Sequence, residues 1–366
     1  MRVNYRIGVL LLSLLYGAVI QATEQPLGDY QVKVLGKALE FPWAVVELPD
    51  GRLLVSEKVG RLNLIATDGQ KVSLSGIPDV FAQGQGGLMD VVLHPDYANN
   101  GWLYLSFAQG NAQANHLQVI RAQLDGTRLV HTETIFSASP DKATPVHYGA
   151  RMAFLPDHSL VIASGDGFDY REQAQNPANH LGKLIRVKDD GSSPADNPSF
   201  EGGVAGLYSL GHRNPQGLAW DPVRRQLFAN EHGPAGGDEI NLIIGGLNYG
   251  WPVITEGKDY SGANISPFRA YPGMQPPLVD WTPSIAPSAL VVYRGEMFPE
   301  LRGDLLSTTL KSQEVRRVVL SGENIVRQER LFTELESRLR DIHIGSRGQI
   351  FLLTDGPQGQ LLVVER

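Results

Sequence analysis

The chain contains no cysteine. No disulfide can brace the fold, no thiolate can hold a metal, and no thiol nucleophile is available. Charge is sparse as well: 19% of residues are Asp, Glu, Lys or Arg, and they leave a formal net charge of −7. An acidic chain without a basic run is a poor partner for nucleic acid. There is no phosphate-binding loop, no Gly-rich dinucleotide fingerprint after a strand, and no nucleophile elbow. Long apolar runs are missing too. The one extended apolar segment, Ile7 to Ile20, is shorter than the ~20 residues a spanning helix needs.

That segment has the order of a secretory signal peptide. Arg2 and Arg6 precede it, and Gln21-Ala22 leads into the polar run Thr23-Glu-Gln-Pro26. We expect residues 1–22 to be removed and the protein to reach the periplasm. The mature chain, 23–366, would have no membrane span, and loss of Arg2 and Arg6 takes its charge to about −9.

What the sequence has in quantity is glycine and proline, 40 and 23 residues. This favours many short strands joined by turns. A loose unit recurs, in which a turn built on Pro, Asp or Gly runs into a short β-rich segment. Its copies begin near Leu48, His94, Leu155, Asp221, Phe298 and Gly345. Repeats at this period imply an all-β, six-bladed β-propeller forming a single domain over 23–366. Seven blades is the nearest other count, because the spans 166–221 and 231–298 are long. A blade can bury its two faces only against its neighbours, so the ring has to close. The runs Tyr30–Leu35 and Leu361–Glu365 could pair to close it.

The residues that could carry chemistry lie between these units. The densest run is Leu210-Gly-His-Arg-Asn-Pro-Gln-Gly217, followed by Asn230-Glu-His-Gly-Pro234 with Asp238-Glu-Ile-Asn241, and by Asn248-Tyr-Gly-Trp-Pro252. Gly233 and Pro234 offer two carbonyls beside Asp238 and Glu239. Calcium takes six to eight oxygen ligands of these kinds, and a polar turn with capping carboxylates would look the same. His147 precedes the third repeat. It is either a hydrogen-bonded turn residue or a base, the side chain best suited to proton transfer near neutral pH. Arg213, Lys311, Arg338 and Arg340 are either separate solvated charges or a cationic cluster for an anionic ligand.

Together these segments resemble the soluble pyrroloquinoline-quinone (PQQ)-dependent glucose and aldose sugar dehydrogenases. Gly84-Gln-Gly-Gly-Leu-Met89, His147-Tyr-Gly-Ala-Arg151, Gly165-Asp-Gly167 and Leu181-Gly-Lys183 extend the likeness through most of the mature chain. The resemblance implies a six-bladed propeller that oxidises the C1 hydroxyl of aldoses to lactones. Hydride would pass to PQQ, and electrons then to an external acceptor such as a quinone, cytochrome or dye. It implies His147 as the catalytic base and Arg213 as the residue that polarises the quinone. It places Gln85, Asp166, Asn214, Tyr260, Lys311, Arg338 and Arg340 around the cofactor. The carbonyls of Gly233 and Pro234 would hold a cofactor-bound Ca2+, and Glu239 and Tyr249 a second, structural one. Position 232 departs from the pattern, with His where the glucose enzyme has Gln. The expected state is a monomer or homodimer. Two other classes fit the residues alone: a calcium-dependent propeller hydrolase, and a non-catalytic binding propeller.

Overall fold

The structure is a computed structural model and describes residues 23–24, 27–322 and 324–366. The expected signal peptide lies outside the described residues. Almost everything described is strand, turn or loop, arranged in six sheets. Pro42–Glu47, Leu88–Leu93, Gly149–Phe154, Pro215–Asp221, Pro287–Val292 and Leu339–Ile344 each begin one sheet. These six innermost strands pack side by side around a ring, with the last against the first. The architecture is a six-bladed β-propeller. No helix among the described residues is long and apolar enough to cross a membrane.

The sequence repeats mark one structural feature, the hairpin between the innermost strand of a blade and the next. Its turn is locked by a short polar side chain: Asp50 Oδ1 accepts from Arg52 N at 3.0 Å, and Asp157 Oδ1 from Ser159 N at 3.1 Å. An Asx turn of this kind is why Pro-Asp recurs at these places. The second strands Leu53–Glu57, Leu160–Ser164, Leu305–Thr309 and Ile350–Thr354 are buried along their whole length. They are covered on both faces by neighbouring blades, which is why they read as continuous apolar runs without alternation. The long spans after 166 and 231 hold loops and not a seventh blade.

Closure follows the expected pairing. Gln31–Leu39 runs antiparallel to Gly359–Glu365, with Gln31 opposite Glu365 and Leu39 opposite Gly359. The first long strand is therefore the outermost strand of the last blade. Thr23–Glu24 adds a short parallel edge to the fifth blade.

All six innermost strands carry a register shift near their start, for example between Gly149 and Met152, Pro215 and Gly217, and Leu88 and Val91. Such bulges re-aim side chains at the rim of a sheet. Below them a buried cluster fills the axis: Arg151 Nη1 bridges Asp90 at 3.1 Å and Asp341 at 3.0 Å. Its guanidinium lies 4.3 Å from the Trp43 ring centre. The cluster forms the floor beneath what the bulged ends present.

Candidate active site

Two groups of positions converge at the end of the ring where the innermost strands begin. One comprises the residues just before or at the start of those strands: Phe41, Gln85, His147, Arg213, Asn214, Ala286 and Arg338. The other comprises residues just after the second strands: Lys58, Asp166, His232, Leu310 and Asp355. Most of them line a cavity of about 330 Å³, with Trp43, Tyr148, Gln216 and Arg340. A neighbouring cavity of about 200 Å³ is lined by Phe168, Arg213, Pro234, Trp251 and Tyr260, among others. The two meet where consecutive residues, Arg213 and Asn214, each face one of them.

His147 is buried, at 5% exposure, and has a left-handed backbone with φ of 51°. A non-glycine residue in that region is strained and is held there by its surroundings. The holding groups are visible. Its N–H donates to Gln85 Oε1 at 2.8 Å. Its carbonyl sits so close to Gly165 that a Cβ there would stand 2.2 Å from it. Nδ1 is 2.7 Å from Asp166 Oδ1. A carboxylate only accepts, so Nδ1 carries the proton and the Nε2 lone pair is left over. No group among the described residues hydrogen-bonds Nε2. Burial lowers the proton affinity of this imidazole; Asp166 opposes that, while Arg213 and Lys142 add to it. The result is a neutral imidazole with one nitrogen fixed and the other free, the arrangement a general base requires.

Asp166 is fully buried and accepts two further bonds, from Phe168 N–H and from the Trp251 indole N–H, both at 2.8 Å. Phe168 packs edge-on to the His147 ring, with centroids 5.2 Å apart, and lies over Tyr260 at 6.3 Å. Tyr260 is largely exposed, at the mouth of the smaller cavity.

The cations gather unevenly. Arg338, Arg340 and Lys58 line the larger cavity, with Asp355 as its only carboxylate. Arg338 pairs with Asp355 at 2.9 Å. Burial lowers the proton affinity of both Arg340 and Lys58, and the Arg340 charge lowers that of Lys58 further, while Asp355 opposes both shifts. Arg340 Nη1 reaches Gln216 Oε1 at 3.2 Å, yet its buried Nε has no partner. A buried donor of this kind, in a cation-rich cavity, fits an anionic ligand. Lys311 is exposed beside Leu310 and lines neither cavity.

Arg213 Nη1 donates to the carbonyls of His232 at 3.0 Å and Gly233 at 2.7 Å. Its guanidinium lies 5.3 Å from the Trp251 ring centre. Asn214 Oδ1 accepts from Gly149 N at 3.1 Å. Backbone oxygens crowd this turn: a Cβ on Gly233 would stand 2.2 Å from both Gly236 O and Gly237 O. A carbonyl-rich turn is the kind of donor set that calcium prefers, although the Gly233 carbonyl already accepts from Arg213. Asp238 is not free to join these carbonyls. Its Oδ1 takes Gly233 N at 2.9 Å, and its Oδ2 takes Ser284 Oγ, Ile285 N and Ala286 N. It is a brace under the turn. Beyond it, burial pushes the Glu239 carboxyl well up, and nearby Glu231, Asp280 and Asp238 push the same way. Buried Asn241 Oδ1 beside it lacks a partner. Crowded acids and an orphaned oxygen are features a cation would relieve, but among the described residues no three acidic or imidazole groups are set together to hold a metal. The Tyr249 hydroxyl, by contrast, is committed to Leu242 O and Ile244 N, both at 2.7 Å, so only its carbonyl is left to serve such a site.

His232 faces the larger cavity, and its Nε2 lies 2.6 Å from Pro287 O. Burial holds this imidazole down to about 4, against the pull of Asp238. It is a neutral donor to a carbonyl, a role that needs an N–H and no charge.

Sequence reading missed Lys58, Trp43, Gln216, Phe168, Trp251 and Asp355. A signal for two of them existed. Lys58 and Asp355 each directly follow the second strand of a blade, near the point where Asp166 and His232 also fall.

His147 and Asp166 line neither cavity, but they adjoin Gln85, Tyr148 and Gly149, which line the larger one, and such a pair next to a cationic cavity suits an oxidoreductase or a hydrolase that acts on a small polar molecule. The comparisons decide between these. The Glucose / Sorbosone dehydrogenase family model matches residues 39–363, and the chain belongs to that family. Aldose sugar dehydrogenase YliI of Escherichia coli (strain K12) is 37% identical over 342 residues, covering 91% of this chain and 92% of that protein. The apo structure of the soluble aldose sugar dehydrogenase from Escherichia coli superposes with a TM-score of 0.88 at 36% identity, covering 92% and 99% of the two chains. The PQQ-bound aldose sugar dehydrogenase from Streptomyces coelicolor gives 0.77 at 29% identity, covering 93% and 99%. The protein is thus a sugar dehydrogenase by family.

Proposed function

We propose that this protein is an exported PQQ- and calcium-dependent aldose sugar dehydrogenase that converts the C1 hydroxyl of an aldose to a lactone. The observation that carries the reading is the free Nε2 of His147, a residue tied through its N–H to Gln85, which lines a cavity rich in cations. Support for the cofactor comes from the family match and from the PQQ-bound relative. When bound, PQQ would supply a two-electron acceptor, and calcium a Lewis acid at its quinone oxygen.

The chain's own residues do the rest. Arg340 and Arg338, with Lys58 beside them, hold carboxylates in the larger cavity; Lys311 can join them only by swinging in from the rim. Gln85 and Asn214 fix the backbone around His147. Arg213 faces the smaller cavity and favours negative charge on an oxygen placed there. His147 Nε2 takes the proton from the sugar hydroxyl. Asp166 keeps Nδ1–H in place and stabilises the imidazolium that results. The carbonyls of Gly233 and Pro234 would hold calcium at the reacting end, and Glu239 with the Tyr249 carbonyl a second ion. Phe168 and Tyr260 form the wall that the sugar meets.

The test is reconstitution of purified protein with Ca2+ and PQQ, followed by dye reduction across a panel of aldoses. Aldose-dependent reduction that needs both additions is expected. Sugar-lactone hydrolysis without quinone or acceptor would overturn the reading in favour of a hydrolase. N-terminal sequencing of protein recovered from the periplasm tests export.

A further inference from the structure

Two buried lysines stand behind the base, and the chemistry just described uses neither. Lys142 is 3% exposed and Lys183 0%. Lys142 Nζ bonds only to neutral oxygens, Asn115 Oδ1 at 3.0 Å and Thr144 O, and lies 3.5 Å from the centre of the Tyr148 ring. Lys183 Nζ donates to Gln173 O at 2.7 Å and to Leu181 O. Neither has an ion-pair partner among the described residues. A buried ammonium without a counter-ion is costly, and an apolar side chain of similar length would be cheaper. Residues that break such rules without a structural return tend to serve function.

Both lysines flank the segment that carries Asp166. Ser164 pairs with Lys183 across the sheet, and a Cβ on Gly167 would stand 2.8 Å from Lys142 Cδ. A small pocket of about 10 Å³ touches both Lys142 and His147, and Tyr148 and Leu181 also line it. It has room for one water at most. Lys142 and His147 are both buried, at 3% and 5% exposure, so bulk solvent screens little of the interaction between ammonium and imidazole.

We infer that Lys142 is a positioning residue for the base, its ammonium set behind the His147–Asp166 pair to oppose positive charge on the imidazole. The inference rests on His147 acting as the base. The charged groups facing His147 are Asp166, which favours its protonation, and Arg213 and Lys142, which disfavour it. Burial brings Lys142 itself down to about 7, with Asp166 opposing. Over the more acid range in which His147 titrates, Lys142 is thus the protonated partner. Two effects follow. His147 stays unprotonated to lower pH, and the imidazolium formed in turnover gives up its proton more readily.

The experiment replaces Lys142 by Met and, separately, by Gln. In apoprotein, the His147 ring is titrated by ¹⁵N NMR, its signals assigned with H147Q; in the reconstituted enzyme, kcat/KM is followed against pH. Loss of the cation should raise the His147 midpoint and move the acid limb of kcat/KM to higher pH, each by about one unit. PQQ affinity should be unchanged, and the Met variant should be at least as resistant to heat as the parent. An unmoved titration in a folded variant overturns the proposal, and so does failure of both variants to fold, which would make Lys142 a structural prop. A wild-type protein inactive with PQQ would sink the dehydrogenase reading while leaving the titration readable.

Discussion

Replacing Asp166 by Asn changes one atom, and its consequences can be followed donor by donor. Oδ1 accepts from His147 Nδ1 and Phe168 N, while Oδ2 accepts from Trp251 Nε1. An amide has one accepting oxygen and one donating nitrogen. Whichever way it is turned, at least one buried donor faces another donor. An orphan of that kind costs about 1–3 kcal/mol of stability. If the nitrogen faces Trp251, the imidazole keeps its tautomer but loses the anion that supports it once protonated. If the nitrogen faces His147, the ring must present a bare Nδ1 and carry its proton on Nε2, where no lone pair is left. Either route removes most of the general base's contribution, so kcat should fall at least ~10²-fold, about 2.7 kcal/mol. The acid limb should move to lower pH, because Asp166 raises the proton affinity of His147 and its charge is now gone. That direction is opposite to the one expected for Lys142→Met. Dye-coupled turnover at saturating PQQ and calcium reads the rate, and urea unfolding reads the stability. A D166N enzyme that keeps kcat within about threefold of the parent would refute the reasoning.

Further outcomes are expected. His147→Gln should lower kcat by at least ~10² while PQQ still quenches the fluorescence of Trp43 and Trp251; unimpaired turnover would remove His147 from the base role. In the wild type, the rate should fall on the acid side only below the ~6.5 of a free imidazole, since burial lowers the His147 value. Arg340→Met should weaken PQQ binding about tenfold or more, the scale of one lost charge-assisted bond, yet leave the apoprotein as stable as before, as binding titration and thermal melts will show. Leu39 is fully buried where the closing strand ends, so Leu39→Ala should cost about 2–5 kcal/mol in denaturant titration.

The ring was legible in the sequence because each blade repeats one local device. A turn built on Pro, Asp or Gly that feeds a buried strand is a short-range signal, and its six copies, three of them Pro-Asp, locate six hairpins. Pairing of the two ends was legible for the same reason, as two β-rich runs without other partners. The site was legible only in part. His147 and Arg213 stand at the heads of innermost strands, and Arg340 lines the larger cavity. The shared register shift at the head of each innermost strand was not visible, because a bulge is set by pairing with a distant strand. Without it Trp43, on the innermost strand Pro42–Glu47, cannot be seen to face the axis. Asp238 illustrates the limit. Beside Gly233 and Pro234 it resembles a metal ligand, yet four bonds occupy its carboxylate, three of them from residues 284–286. Lys311 illustrates the reverse, a cation near the cavity in sequence and outside its lining in space.

The pairing of Gln31 with Glu365 also sets an order of events. The last blade lacks its outer strand until the first residues of the propeller return to it, and those residues have no sheet to join until the final strand exists. A growing chain can form hairpins and single blades, but it cannot close its ring before Gly359–Glu365 is made. Until then one edge of the growing sheet stack stays open and the barrier to unfolding stays low. Ring closure that waits on Gly359–Glu365 leaves the contacts of the last blade to form together in one late step.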